Sequence, residues 1–143
     1  MIFVDTGAWF ASFVPSDSDH SAASAWFDSN KLPLVTTDYV VDELLTLLKV
    51  RGEYPRALEA GPLLLGAEVC RLEWVDPSDV AKAWDIFASH KDKGWSFTDC
   101  VSRAVIERLG IATVCAFDVH FRQFGSLGRD LRKLNSRTLE PLH

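Results

Sequence analysis

Short apolar runs alternate along this chain with segments of helical spacing. Met1 to Val4 is an apolar run that ends at Asp5, the pattern of a buried strand. Gly7 punctuates, and Ala8–Phe13 and His20–Asp28 follow as helical segments on either side of the polar break Pro15–Asp19. Leu32–Thr36 reads as a short strand, after which Thr37 or Asp38 caps a helix with Val40, Val41, Leu44, Leu47 and Leu48 on one face. That helix stops near Gly52, Pro55–Leu65 forms another, and Glu68–Trp74 alternates as a strand. Asp76-Pro77 opens a helix to about Ser89, His90–Trp95 is a polar loop, and Ser96 or Thr98 opens a helix closed by Gly110. Ile111–Phe117 is a strand ending at Asp118, with a last short strand near Thr138–Leu139. Strands separated by helices predict right-handed βαβ units, a mainly parallel sheet and helices on both faces. Such sheets bind ligands at the carboxyl ends of their strands, where Asp5 and Asp118 fall.

Composition narrows the class. The 143 residues suit one domain, 1–143, and 48% hydrophobic with 24% charged residues supports a core and excludes disorder. Cys70, Cys100 and Cys115 are odd in number, far apart and in apolar surroundings, so buried thiols in a reducing compartment are expected rather than disulfides or a zinc site. The N-terminus lacks the basic region of a signal peptide, and no apolar run approaches the roughly 20 residues of a membrane span. A cytoplasmic protein without a membrane partner is therefore expected. The net charge of −5 argues against a general nucleic-acid binder. Arg122, Arg129, Arg132, Lys133 and Arg137 nevertheless concentrate positive charge near the end, as a solvated tail or a phosphate- or partner-binding strip.

Four acids stand out. Asp5 and Asp118 each follow an apolar run; helix capping or an Asx-turn explains either one alone, but together they project to one sheet edge. Glu43 has Val40 at i−3 and Leu47 at i+4, so it borders a buried face, whereas Asp42 points to water. A carboxylate there must be paired, hydrogen-bonded or metal-bound. Asp99 lies in a first helical turn, where Ser96 and Asp99 also form a capping-box pattern. Carboxylates converging on one pocket repel unless a cation is present, and hard oxygen donors select Mg²⁺ or Mn²⁺. His20, His90, His120 and His143 have no paired ligand spacing, and the chain has neither a phosphate-binding Gly-rich loop nor a Gly-x-Ser-x-Gly elbow. Of the tryptophans, Trp9 and Trp26 fit a core or dimer interface, Trp84 a helix face, and Trp95 either packing or stacking on a base.

Val4-Asp5-Thr6, Asp42-Glu43-Leu44-Leu45, Ser96-Phe97-Thr98-Asp99-Cys100 and Ala116-Phe117-Asp118-Val119-His120-Phe121, in that order, resemble the four acidic motifs of PIN domains, in the style of VapC-type toxins of toxin–antitoxin pairs. The resemblance spans essentially the whole chain. It implies a three-layer α/β/α fold and divalent-metal-dependent cleavage of RNA. Asp5, Glu43, Asp99 and Asp118 would be the acidic ligands, with Thr6 and Thr98 orienting ligands or water. It also implies a homodimer silenced by a small antitoxin. Gly7 departs from the Ser often found there. The mechanism implied is in-line attack of water on a phosphodiester: Asp5, Asp99 and Asp118 hold the ion, Glu43 orients or deprotonates the water, and His120 either packs or contacts phosphate. Three rivals stand beside this reading: a nuclease of RNA maturation without an antitoxin, a non-catalytic binding module of the same fold, and a homodimeric aspartic protease built on Asp5-Thr6-Gly7.

Overall fold

The computed structural model describes residues 1–117 together with the backbone of residues 132–134 and 139–141. Six strands, β1 (Ile2–Val4), β2 (Leu34–Thr37), β3 (Arg71–Glu73), β4 (Thr113–Cys115), β5 (Arg132–Leu134) and β6 (Leu139–Pro141), form one sheet in the order β3-β2-β1-β4-β5-β6. The first five run parallel and β6 pairs antiparallel with β5. Six helices connect them: α1 (Thr6–Phe13), α2 (His20–Ser29), α3 (Asp38–Val50), α4 (Tyr54–Leu65), α5 (Pro77–Ser89) and α6 (Phe97–Leu109). The chain steps outward from β1 through β2 to β3, then returns past β1 to β4. Right-handed crossovers put these two excursions on opposite faces, which makes the three-layer α/β/α arrangement that the sequence predicts.

Every residue of β1 is buried, as a central parallel strand requires. Phe3, Val4, Val35, Val114 and Cys115 form the sheet's share of the core, and Leu44, Leu48, Val101, Val105 and Ile106 cover it from the helices. Between α1 and α2, Trp9 stacks on Phe27 with centroids 5.1 Å apart. Trp9 is thus a core residue, and Trp26 sits edge-on to Phe27.

Strand β2 runs Leu34–Thr37 instead of Leu32–Thr36 and α1 starts at Thr6 instead of Ala8, and three further differences from the periodicity have a visible cause. Strand β3 starts at Arg71 rather than Glu68, because the end of α4 claims the preceding N–H groups: Ala67 donates to the Leu64 carbonyl and Glu68 to Leu63. Strand β4 is confined to Thr113–Cys115, where register with β1 exists. Strand β5 lies inside the basic stretch read as a tail or strip; ladder pairing with β4 imposes it on residues lacking an apolar period. The side chains of that stretch, with Asp118 and His120, lie outside the described residues.

An ionic cluster ties β3, α5 and α6 together. The Arg108 guanidinium donates to both Asp79 carboxylate oxygens at 2.9 Å and to Glu73 Oε1 at 2.9 Å. Asp79, only 3% exposed, also completes the capping box of α5 with Asp76. These carboxylates hold the Arg108 pKa above its ordinary value. Arg108→Ala would leave Asp79 buried and unpaired. We expect a loss of about 2–3 kcal/mol in urea unfolding, less than for a fully buried pair because Arg108 still meets water.

Helices α3, α4 and α6 end in the same double-bonded closure, with Gly52 (φ 77°), Ala67 (φ 52°) and Gly110 (φ 66°) at the left-handed position. Ala67 is the exception to glycine there, and its Cβ disfavours that conformation. Ala67→Gly should therefore raise stability by about 0.5–1 kcal/mol after the entropy of the unfolded glycine is set against it, as measured by thermal and urea unfolding.

Candidate active site at the carboxyl edge of the sheet

Strand order reverses between β1 and β4, and the crevice at their carboxyl ends is the place where such sheets bind ligands. Asp5 stands there. Its backbone N–H donates to the Cys115 carbonyl (3.2 Å), extending the β1–β4 ladder by one residue. Its carboxylate accepts the Ala8 N–H at 3.0 Å and caps α1. Behind it the Thr36 hydroxyl donates to the Val4 carbonyl (3.0 Å) and accepts the Trp9 indole N–H (3.3 Å), locking β1, β2 and α1 around the strand end.

Asp99 occupies the first turn of α6 in a full capping box. The Ser96 N–H donates to Asp99 Oδ2 (2.9 Å), and the Asp99 N–H donates to Ser96 Oγ (3.0 Å). Ser96, rather than Thr98, is therefore the cap, and Thr37 rather than Asp38 caps α3. Asp38 instead accepts the Val75 N–H at 2.8 Å, joining α3 to the exit of β3. Both Asp5 and Asp99 lie at the positive end of a helix, which favours negative charge.

Glu43 is half-buried on α3, while Asp42 is exposed, as their helical neighbours predict. Ser96 Oγ donates to Glu43 Oε2 across 3.5 Å, a long bond whose role is orientation more than energy. No ion pair holds Glu43 among the described residues. Glu43 and Asp99 thus share one hydroxyl-bearing neighbour, and α3 packs against both α1, which Asp5 caps, and α6. Thr6 is buried at the start of α1 and Thr98 half-buried in the first turn of α6. The position of Asp118 lies outside the described residues, three beyond the end of β4.

Sequence reasoning missed two features of this edge. It read Ser96 only as a cap, because its contact with Glu43 spans 53 positions. It also passed over Arg51, although Glu43, Leu47 and Arg51 recur every four residues along α3. Leu47 and Arg51 line a groove of about 460 Å³ with Gly7, Phe10, Asp17 and Phe117, at the foot of α1. The Arg51 guanidinium lies 5.5 Å from the Phe10 ring centroid.

Metal chemistry can be tested against these groups. Carboxylate oxygens are the hard donors that Mg²⁺ and Mn²⁺ take. The thiols offer no competing soft site: burial, with the Asp99 charge added, pushes Cys100 up to about 11, and burial does the same to Cys70. Among the described residues no three Asp, Glu, His or Cys side chains gather as an ion-holding group. Mg²⁺ is commonly held by one or two carboxylates and keeps several waters, so the residues fit such an ion. The aspartic protease reading fails, because Asp5-Thr6-Gly7 opens a helix of a parallel α/β sheet instead of lying in a mainly β fold.

This α/β domain, with Asp5 at the switch point of its sheet, matches the sequence profile of the PIN domain over residues 2–127, and the chain belongs to the PIN domain family. It is 34% identical over 125 residues to the 23S rRNA-specific endonuclease VapC20 of Mycobacterium tuberculosis, covering 87% of this chain and 95% of that protein. It is 29% identical over 138 residues to a VapC ribonuclease of Archaeoglobus fulgidus, covering 91% of this chain and 84% of that protein. The crystal structure of VapC20, described as a Sarcin-Ricin loop cleaving toxin, superposes with a TM-score of 0.80 at 31% identity over 90% of this chain and 96% of that one. A chain of FitAcB from Neisseria gonorrhoeae shares the fold (TM-score 0.68, 18% identity, 97% of this chain and 100% of that one).

Because Ser96 Oγ both caps α6 and reaches Glu43, Ser96→Ala should lower stability by about 1 kcal/mol. Ser96→Thr keeps the hydroxyl and should lose less; urea denaturation of the two variants measures the difference.

Proposed function

We propose that this chain is a divalent-metal-dependent ribonuclease that hydrolyses RNA phosphodiesters and serves as the toxin of a toxin–antitoxin pair. The observation that carries the reading is the Ser96 contact that joins Glu43 to the capping box of Asp99, in a chain with Asp5 at the carboxyl end of β1 and related along nearly its whole length to VapC endonucleases. Mg²⁺ or Mn²⁺, when bound, supplies Lewis-acid activation of the phosphodiester and of the attacking water. Asp5 and Asp99 hold the cation, with Asp118 as a further ligand. Their helix caps fix both side chains before substrate arrives, so little ordering is left for the reaction.

Glu43 orients the attacking water and takes its proton, and Ser96 holds the Glu43 carboxylate toward that task. The water oxygen bonds to phosphorus as the opposite P–O bond breaks in line. Thr6 and Thr98 support the flanking acids. Arg51, at the mouth of the groove, contacts a phosphate of the bound strand. A homodimer and a small antitoxin complete the proposed partners. The buried thiols suit the reducing cytoplasm. Among the described residues no helix is long and apolar enough to cross a membrane.

An ion that binds only the folded protein must stabilise it. Millimolar Mg²⁺ or Mn²⁺ should raise the melting temperature of the wild type over its value in EDTA. Asp99→Asn, which keeps an oxygen for the Ser96 N–H but removes the charge, should lose that response. Glu43→Gln should lower RNA cleavage by about 10²–10⁴-fold while leaving the metal-dependent rise largely in place. An unchanged melting temperature together with intact RNA after a substrate screen would refute the proposal.

A further inference from the structure

We infer that the end of α5 and the loop after it form a stacking subsite for an unpaired RNA base beside the acidic edge; this rests on the ribonuclease reading above. The pocket has a volume of about 550 Å³, within the usual range for small-ligand sites. Trp84, Phe87, His90, Lys91, Lys93 and Trp95 line it. Its chemistry divides into flat apolar surface and cations. Trp84 is 59% exposed and Phe87 41%, although aromatic side chains of that size are ordinarily drawn into the core. Their rings lie 6.1 Å apart at 31°, and Phe87 is braced edge-on by Phe97 of α6 at 5.8 Å. The aromatic wall is thereby fixed to the helix that carries Asp99.

The opposite wall is also built. Trp95 is buried and packs against His90 with centroids 4.9 Å apart, so of the two roles open to it from sequence it takes packing and forms the floor. His90 Nδ1 lies 2.8 Å from the Ile86 carbonyl oxygen; a carbonyl only accepts, so Nδ1 carries the proton and the ring is held in place. Lys91 and Lys93 stand exposed at the rim. Lys93 is paired only loosely with the open Asp92 carboxylate, at 3.9 Å. A rim of cations around aromatic faces, on a chain of net charge −5, is complementary to a base and its phosphate.

Position supplies the link to cleavage. Trp95 is followed directly by Ser96, the residue that caps α6 and meets Glu43. A base seated on Trp84 would anchor the strand next to the acids. Only an unstacked base offers its face, so the subsite selects single-stranded or looped RNA over duplex.

The test measures binding in EDTA, where cleavage is absent, to a short fluorescein-labelled single-stranded RNA of mixed sequence and to the corresponding duplex. Trp84→Ala should weaken single-strand binding about tenfold and leave duplex binding unchanged, while Trp84→Phe should retain the affinity. RNA should quench wild-type tryptophan emission, and Trp84→Phe should lose most of that quench. Lys91→Glu with Lys93→Glu, both on the exposed rim, should weaken binding without altering the fold. Unchanged single-strand affinity in both Trp84→Ala and the lysine double variant overturns the subsite, even where wild type cleaves RNA in Mg²⁺. Light scattering that shows Trp84→Ala splitting a dimer, with RNA affinity intact, assigns this face to a second copy and also overturns it. Failure of the ribonuclease reading itself is seen separately, as absence of Mg²⁺-dependent cleavage by the wild type.

Discussion

The burial of β1 is the constraint from which the site follows. A three-residue strand with both faces in the core has no room for a polar side chain along its length, so the first polar residue falls where the strand leaves the sheet. That residue is Asp5, and its place is set by the ladder itself, because its N–H still pairs with Cys115 on β4. The carboxylate then meets the start of α1 and takes an N–H that would otherwise have no partner in the helix. A group held by its backbone on one side and by a helix on the other loses little freedom when it binds something else. The strand needs no special geometry for this; it needs only to be apolar up to position 4 and polar at 5.

Helix α6 carries the second carboxylate in its first turn, and it is anchored along its whole length. At its start the Ser96–Asp99 box fixes the first turn. In its middle Arg103, 2% exposed, pairs with Glu107 at 3.1 Å, and Glu107 also meets Lys82 of α5. At its end Arg108 gathers Glu73 of β3 and Asp79 of α5. Charges removed from water in this way are tolerated only with partners, and here the partners come from neighbouring elements. The ion pairs therefore hold α5, α6 and β3 in one relative position. They set the distance between the aromatic end of α5 and the acid at the head of α6, although none of them touches either.

Much of this was legible in the sequence, because the informative signals were local. Apolar runs ending in Asp, capping residues three before an acid, and Gly110 after an amphipathic stretch each reflect physics acting within a few residues. The half-burial of Glu43 and the exposure of Asp42 followed from neighbours one helical turn away. The illegible parts depend on contacts between distant segments. Nothing near Ser96 announces Glu43, and nothing in Arg132–Leu134 announces a strand, since β4 supplies the pairing that its composition does not. The choice between packing and stacking at Trp95 stayed open for the same reason: its burial is decided by His90 and the end of α5, while the exposed ring belongs to Trp84, which local pattern marked only as lying on a helix face.

For Asp5 and Asp99, helix capping and ion binding look like competing explanations when the residues are read singly. The two roles are physically compatible. An ionised carboxylate has two oxygens and about four lone-pair sites, and a cap uses one of them. The N–H bond then serves as the support that orients the rest of the group, in the way a second hydrogen bond orients a metal-ligating histidine. At position 5 a Ser or Thr cap would satisfy the helix equally well but would bring no charge, and at α6 the cap is already Ser96, with Asp99 as the acid of its box. Asp at position 5 and Asp at position 99 therefore bring negative charge to two helix starts. Two carboxylates that share one ion disfavour the folded chain without the cation and favour it in its presence. A carboxylate that only supports a helix gains nothing from a cation, whereas one that also binds an ion is stabilised by it.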